Sequence, residues 1–214
     1  MAKKKTARTT ETAPLKWQEA QTLLKCLKAD GKHETRLMLA LGFYTGLRIS
    51  DILRLTWGDI LGKKEIVVQE KKTGKTRKIQ INQDLTDTIQ EAALAICPAP
   101  DWRKKQAGGV NVGHVDPAAH IFTSKKGPAI GQPLTVVGAN FRIKETFEQY
   151  GIKTQNASSH CLRKTFARRV YEVNNQSEAA LILLSQILNH DGPATTRRYI
   201  GLTAERVAEA YLNL

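Results

Sequence analysis

The sequence predicts an α+β fold that is mainly α-helical, with a small antiparallel β-hairpin at one edge. Apolar residues recur at helical spacing along most of the chain, whereas only two short segments, 65–69 and 77–81, have the composition of paired strands. No internal repeat or low-complexity block is visible. With 214 residues, 41% of them hydrophobic, the chain is long enough to bury the core of one domain.

The first half of the chain contains the hairpin and four predicted helices, which span 15–29, 34–44, 52–57 and 85–96. Gly46 follows the second helix, where glycine suits the left-handed residue that ends a helix. Ser50 or Asp51 can cap the short third helix. Arg48 is therefore expected in the tight joint between two core helices.

The second half begins with a loop over 98–117, whose length indicates either a functional or a disordered excursion. A short strand is predicted over 120–123, and helices are predicted over 134–150, 159–173, 179–188 and 204–212. Two of these helices have clear apolar stripes, which predict their buried faces. The stripe residues are Val137, Phe141, Ile143 and Phe147 on the first, and Leu162, Phe166 and Val170 on the second.

The charge balance indicates a polyanionic partner. Thirty-three Lys and Arg residues against 20 Asp and Glu residues give a net charge of +13 and an isoelectric point near 9.8. Nucleic acid is the leading interpretation, and a ribosomal-type protein or an anionic membrane surface are the alternatives. Residues 1–14 are predicted to form a basic flexible arm, which either adds attraction to phosphates or is an inert solubilising tail.

Other features narrow the cellular setting. No apolar run reaches the roughly 18 residues of a membrane span, and the charged N-terminus has no apolar segment behind it, so no signal peptide is predicted. The three cysteines lack C-x-x-C spacing, which argues against a zinc site and against a disulfide framework. A reducing cytoplasm is the predicted location.

Basic residues concentrate at two places in the first half. Arg48 has an apolar neighbourhood in which a charge is costly, so we expect it to emerge into a cleft and meet an anion, with Asp51 orienting it. The alternative is a surface arginine at a turn. The hairpin carries basic side chains that either reach over a bound duplex or form only a solvated turn. They are Lys71, Lys72, Lys75, Arg77 and Lys78.

The stretch from Ser159 to Ile200 has the residues of a phosphate site. His160 and Arg163 are three residues apart and so point the same way on a helix, close to the amino-terminal turn that favours anions. His190 follows an apolar run, and Tyr199 lies nine residues later. Alone, each histidine could be a satisfied core residue and the tyrosine could be structural. Together they predict a phosphate-binding site in which a phenol can attack.

These motifs resemble the catalytic domain of the tyrosine recombinase family, also called phage integrases, over about residues 15–212. T-G-L-R-I-S-D matches the family's first arginine box through Arg48 and its acidic neighbour Asp51, and K-T-G matches the hairpin lysine through Lys72. H-C-L-R matches the H-x-x-R box, and L-N-H with T-T-R-R-Y matches the third-box histidine and the nucleophile. Any one of these motifs is a weak signal. All six residues occur in the order of the family, with nine residues from His190 to Tyr199, and this combination makes the resemblance specific.

The resemblance implies a catalytic role for each of the six. Arg48 and Arg163 neutralise charge on the phosphate oxygens, as planar guanidinium groups that stay charged at working pH can do. Tyr199 attacks the phosphorus to form a 3′-phosphotyrosyl link, with His160 as acid/base, His190 as hydrogen-bond donor and Lys72 as the acid for the 5′-oxygen. The reaction is expected to need no metal, ATP or other cofactor.

The resemblance also implies partners. Double-stranded DNA is the expected substrate, with Lys71, Lys75, Arg77 and Lys164 as DNA-binding candidates. The last helix, 204–212, is expected to join subunits into a synaptic tetramer, and accessory DNA-bending proteins are possible partners. The expected location is cytoplasmic and nucleoid-associated, without membrane contact.

The sequence departs from the family pattern in three ways. Asn189 replaces the usual glycine before the histidine, and Lys164 replaces the usual histidine after the arginine. No separate N-terminal core-binding domain is predicted, from which we expect weaker and more salt-sensitive DNA binding. A type IB topoisomerase and a non-catalytic DNA-binding regulator on the same scaffold are the alternative functions.

Overall fold

The fold is mainly helical with one two-stranded antiparallel sheet, as the sequence predicts. The computed structural model describes residues 12–97, 115–125, 127–201 and 211–212. Its helices are α1 (Trp17–Ala29), α2 (His33–Thr45), α3 (Ile49–Ile52), α4 (Trp57–Ile60), α5 (Gln83–Ile96), α6 (Val136–Gln149), α7 (Ser159–Val173), α8 (Glu178–Leu188) and α9 (Pro193–Tyr199). The strands are β1 (Glu65–Gln69) and β2 (Thr76–Gln80), and a short 3-10 helix spans Gly127–Ala129.

Helix α2 forms the centre of the core and packs against α1, α5 and α7. Every residue from Leu37 to Phe43 is buried, so α2 is surrounded by protein on all sides. Gly42 allows α7 to approach closely, because a Cβ atom at this position would lie 2.7 Å from the Leu162 Cβ. Gly46 ends α2 in the left-handed conformation, with φ of 61°, as predicted from the sequence.

The apolar core consists of two clusters, and α7 belongs to both. The larger cluster contains the buried faces of α1 to α6 and β1, together with Cys161 and Leu162 at the start of α7. The smaller cluster joins the rest of α7, through Ala167 and Tyr171, to α8 and to Ile200 directly after α9. Residues at the N-terminal end of α7 therefore lie where the two clusters meet.

The hairpin pairs Glu65 with Gln80 and Gln69 with Thr76, so its second strand begins one residue before the predicted start. Ile66 and Val68 of β1 point into the core, while Val67 is exposed. This alternation is typical of a half-buried strand, and the strand leads into the turn that carries Lys71 and Lys72.

Several predicted elements differ in the structure. The single helix predicted over 52–57 is replaced by α3 and α4, because Thr56 and Asp59 form a capping box that starts a new helix at Trp57. The strand predicted over 120–123 is reduced to two isolated bridges, at His120 and Thr123. Helix α9 was not predicted, since its sequence is polar.

The predicted buried face of α6 is also wrong in part. Val137 and Phe141 are 80% and 68% exposed, whereas Ala139, Ile143 and Phe147 are buried at four-residue spacing. On α7, Leu162 is buried as predicted, but Phe166 and Val170 are only partly buried. Apolar spacing predicted the helices, but their orientation depends on neighbours far along the chain.

The ends of the chain require one correction. Of the predicted flexible arm 1–14, residues 12–14 are ordered against the segment before α7: the Ala13 N–H donates to the Gln155 carbonyl, and Thr12 contacts Ser158. Residues 1–11, most of the loop 98–117 and most of the predicted helix 204–212 lie outside the described residues. Among the helices that the structure describes, none is long and apolar enough to cross a membrane.

Candidate active site

One cavity of about 400 Å³ brings together all six residues predicted to be catalytic. Its lining residues are Arg48, Lys72, Thr73, His160, Arg163, Asn189, His190, Asp191, Thr195 and Tyr199. They come from the joint between α2 and α3, the hairpin turn, the start of α7, the end of α8, and α9. The cavity opens where the two apolar clusters meet.

Arg48 is held by Glu70, which was not singled out in the sequence. Its Nη1 donates to Glu70 Oε2 at 2.7 Å, and the Glu70 side chain is fully buried. Burial alone would raise the pKa of this carboxyl, but hydrogen bonds from Arg48, Thr73, Arg77 and Asn189 lower its pKa to about 2. Glu70 is therefore ionised at any working pH.

The prediction that Asp51 orients Arg48 is wrong. The Asp51 carboxylate accepts a hydrogen bond from the backbone N–H of Lys71 and lies 3.9 Å from Arg54. Asp51 thus fixes the hairpin backbone directly before Lys72, and Glu70 takes the role that was expected of Asp51. One helical turn separates Asp51 from Arg48, but its side chain points toward the hairpin.

Two of the predicted DNA-binding residues are largely covered by other parts of the protein. Arg77 is about 10% exposed and donates to Glu70 and to the Thr45 carbonyl. Lys164 is 8% exposed, and its ammonium group lies 5.4 Å from the centroid of the Tyr199 ring. Their DNA-binding role stays a prediction, and Lys71 and Lys75 are exposed.

Arg163 joins two parts of the fold. Its guanidinium donates to the Gly46 carbonyl at the end of α2 and, at 2.8 Å, to the Leu188 carbonyl at the end of α8. Burial lowers its pKa to about 10, and the neighbouring Arg48 and Arg77 charges add to this effect. The group remains a cation at neutral pH, so this buried positive charge lies beside the cavity with its orientation fixed.

Tyr199, the candidate nucleophile, is the last residue of α9, and its ring lies next to the side chains of His190 and Lys164. The ring packs edge-on against His190, with centroids 5.0 Å apart, and Lys164 lies near its face. The hydroxyl is buried, and the Arg163 guanidinium lies near it. Burial raises the Tyr199 pKa, while the Arg163 and Arg48 charges act in the opposite direction.

His190 is positioned by its own loop. Asn189 ends α8 in the left-handed conformation, with φ of 51°, which asparagine tolerates better than most residues and which explains its place in a position often taken by glycine. The His190 Nδ1 lies 2.9 Å from the hydroxyl of Thr196, a fully buried residue of α9. Burial and the charges of Arg163 and Arg48 lower the His190 pKa.

His160 and Lys72 are the exposed members of the site. Partial burial of the ring, followed by the charges of Arg163, Lys164, Arg48 and Lys72, lowers the His160 pKa. The imidazole is therefore neutral near pH 7 and can accept a proton. Lys72 follows the residue that Asp51 holds, so its backbone is fixed although its side chain is exposed.

Sequence reasoning missed Glu70 and Thr196, and it noted Asn189 only as a departure from the family. Glu70 lies in the hairpin sequence beside five basic residues. An acidic residue in such a turn is ordinarily exposed to solvent, so it was not singled out. Its position next to the alternating buried residues Ile66 and Val68 was the available signal, because continuing that period makes residue 70 face inward.

Two guanidinium groups, a lysine, two imidazoles with lowered pKa and a phenol form a site suited to phosphoryl transfer. The cations can stabilise charge on phosphate oxygens, and the phenol can act as the nucleophile. Among the described residues, no group of three or more His, Cys, Asp or Glu side chains could hold a metal ion.

This fold and cavity define the class of tyrosine recombinase catalytic domains, and comparison with known proteins gives the family. Residues 14–206 match the phage integrase family. The match covers most of the chain, so the chain belongs to the phage integrase family.

The curated relatives have names consistent with this family. The chain is 29% identical over 170 residues to "Probable integrase/recombinase YoeC" of Bacillus subtilis (strain 168), covering 79% of this chain and 78% of that protein. It is 26% identical over 176 residues to the tyrosine recombinase XerC of Xanthomonas campestris pv. campestris (strain B100), covering 82% of this chain and 47% of the relative. The chain thus spans about half the length of XerC.

Solved structures show the same fold at low sequence identity. The XerA recombinase matches with a TM-score of 0.63 and 20% identity, over 94% of this chain and 64% of the other. The Tn1549 transposon integrase in complex with transposon right end DNA matches with a TM-score of 0.64 and 19% identity, over 95% of this chain and 67% of the other.

Proposed function

We propose that this chain is the catalytic domain of a site-specific DNA recombinase that cleaves and rejoins strands through a 3′-phosphotyrosyl intermediate on Tyr199. One observation carries the proposal: Tyr199 shares a single cavity with Arg48, Lys72, His160, Arg163 and His190. These residues come from segments spread along the chain from residue 48 to residue 199. The relatives support a DNA partner, because the XerH recombinase and the Tn1549 integrase are bound to DNA in their structures.

The proposed cleavage step exchanges one phosphate ester for another. The Tyr199 Oη forms a bond to phosphorus while the bond from phosphorus to the 5′-oxygen breaks. His160 accepts the phenolic proton, and Lys72 gives a proton to the departing 5′-oxygen. Arg48, Arg163 and His190 stabilise charge on the non-bridging oxygens. The reverse step, with a 5′-hydroxyl from another strand, rejoins DNA without ATP because the ester bond is retained.

The decisive experiment is to trap the covalent intermediate. A duplex nicked just 3′ to the scissile phosphate loses a short fragment after cleavage, so the protein–DNA adduct accumulates and is visible on a denaturing gel. The wild type should form the adduct, and Tyr199→Phe should form none while binding the duplex equally well. An adduct with Tyr199→Phe would show that the nucleophile is another residue, and no adduct with the wild type would favour a non-catalytic DNA-binding regulator.

A type IB topoisomerase is the second enzymatic candidate, because the same nucleophile and cations serve strand relaxation. A plasmid with two target sites separates the two functions: a recombinase exchanges the sites, whereas a topoisomerase only removes supercoils.

The proposed recombinase acts as a tetramer on DNA, joined through residues 204–212 and aided by DNA-bending proteins. Its substrate implies a cytoplasmic, nucleoid-associated location.

A further inference from the structure

Glu70 makes contacts that the six predicted catalytic residues do not explain. Its Oε2 accepts hydrogen bonds from Arg48 at 2.7 Å, Thr73 at 2.9 Å and Asn189 at 3.1 Å. Its Oε1 accepts one from Arg77 at 3.1 Å. A buried carboxylate is costly unless its lone pairs are satisfied by donors, and here four donors from three chain segments satisfy it.

Three of these donors mark the segments that supply the proposed machinery. Arg48 is itself a predicted phosphate ligand. Thr73 directly follows Lys72 on the hairpin, and Asn189 directly precedes His190 after α8. The carboxylate therefore lies at the point where the first arginine box, the hairpin and the third box meet.

The backbone of Glu70 is fixed independently of its side chain. Its N–H donates to the Lys75 carbonyl, and its own carbonyl accepts from the N–H of Gly74, so the hairpin turn closes around this residue. A side chain anchored in this way can hold Arg48 in one orientation, with the rest of the guanidinium left for a phosphate.

We propose that Glu70 is a positioning residue that orients Arg48 and sets the hairpin lysine and His190 relative to it. This inference rests on the proposed function, since it concerns how the same site is assembled. Glu70 acts through its neighbours: it need not touch the DNA or the reacting atoms. Loss of the Glu70 carboxylate should therefore lower the cleavage rate more than it lowers DNA binding. Loss of an ion pair that only stabilises the fold would not affect the two measurements differently.

The test uses Glu70→Gln, which preserves shape but replaces one acceptor oxygen with an N–H donor. The amide can keep its oxygen toward Arg48 only by turning its N–H group against Arg77, and in either orientation the negative charge that holds Arg48 is lost. With a nicked suicide duplex under single-turnover conditions, we expect cleavage to slow by about tenfold or more. Binding of the same duplex should change by less than about threefold, since the Glu70 side chain is fully buried.

Glu34→Gln is the matched control. Glu34 also binds two cations, Arg142 at 2.8 Å and Lys125 at 3.3 Å, but it does not line the cavity. Its substitution should leave the cleavage rate unchanged. If both glutamine variants slow cleavage equally, the effect of Glu70 is a general loss of stability and the proposal is wrong.

A double-mutant cycle tests whether Glu70 acts through Arg48. In the Arg48→Lys background the oriented guanidinium is already absent, so Glu70→Gln should slow cleavage much less than it does in the wild type. Equal effects in both backgrounds would contradict the positioning role. Where Glu70→Gln does not fold, Thr73→Val and Asn189→Gly each remove one donor and leave the carboxylate paired with both arginines.

The outcomes separate this inference from the proposed function. A wild type that forms the adduct together with a Glu70→Gln variant of equal rate would overturn the role of Glu70 and leave the recombinase proposal intact. If the two donor variants also cleave at the wild-type rate, the coupling of hairpin and third box is refuted. A wild type that forms no adduct would overturn both proposals.

Discussion

Individual side chains in this cavity depend on contacts with residues distant in sequence. Arg163 is fixed by two backbone carbonyls, Arg48 by a buried carboxylate and His190 by a buried hydroxyl. Each partner limits the orientations that the catalytic candidate can adopt before substrate arrives, which is how preorganised sites lower a reaction barrier. The residues that hold the catalytic candidates can therefore be tested by substitution in the same way as the candidates themselves.

Thr196→Val should slow DNA cleavage by about tenfold, which corresponds to roughly 1.4 kcal/mol. Valine has the shape of threonine but cannot bond the His190 Nδ1, so the tautomer and orientation of the imidazole are no longer fixed. The measurement is the single-turnover rate on a nicked duplex. Thr196→Ser keeps the hydroxyl and should recover most of the rate; a Thr196→Val variant as fast as the wild type would refute the role of this bond.

The pH dependence of cleavage should reflect His160. Its pKa is lowered from the ordinary value of 6.5, so the neutral base persists to more acidic pH than for a free histidine. The cleavage rate should therefore decline on acidification with a midpoint below pH 6.5, as the imidazole becomes protonated. Single-turnover rates between pH 5 and 8 test this, with His160→Gln as the control that should lack the acidic decline. A decline centred above pH 6.5 would contradict the assignment.

At the scale of elements, α7 determines how the site is assembled. Its first turns carry His160 and Arg163 and pack on α2, while its later turns pack on α8, which leads to His190 and Tyr199. The contact between α2 and α7 is close because Gly42 has no side chain. A change in the α2–α7 distance would move one side of the cavity relative to the other.

Gly42→Ala should destabilise the protein by about 1–3 kcal/mol, although alanine is the better helix former by up to about 1 kcal/mol. The new Cβ would lie 2.7 Å from the Leu162 Cβ, which cannot move without its backbone. Chemical denaturation measures the change. The matched control is Gly138→Ala in α6, where the nearest atom is the mobile end of Leu134 at 3.0 Å, and stability should change little. Equal effects at both positions would argue against tight α2–α7 packing.

At the scale of the whole molecule, the net charge of +13 attracts a polyanion, but the fold decides which cations are available to it. The exposed hairpin lysines, Lys71 and Lys75, remain candidates for phosphate contacts. Arg77 and Lys164 are instead used inside the protein, against Glu70 and the Tyr199 ring. Total charge alone therefore does not give the number of cations that a polyanion can reach.

Salt dependence measures those contacts. The double variant Lys71→Ala/Lys75→Ala should reduce the slope of log affinity against log salt concentration by about 2, since each lost phosphate contact on duplex DNA changes it by about 0.9. Fluorescence anisotropy with a labelled duplex at several salt concentrations gives the slope. Lys25→Ala, an exposed lysine on α1, is the control and should leave the slope unchanged. An unchanged slope in the hairpin variant would show that the turn does not contact the duplex.

The sequence by itself determined the helical class, the hairpin and six of the residues that line the cavity. The helices and the hairpin follow from local periodicity and turn residues, and the six residues follow from the resemblance of short local motifs to the phage integrase family. It did not determine which face of α6 is buried, that Asp51 holds the hairpin and Glu70 holds Arg48, or that Lys164 is buried near Tyr199. Only the tertiary structure decided these, because burial and charge pairing depend on residues that the folded chain brings together from distant positions.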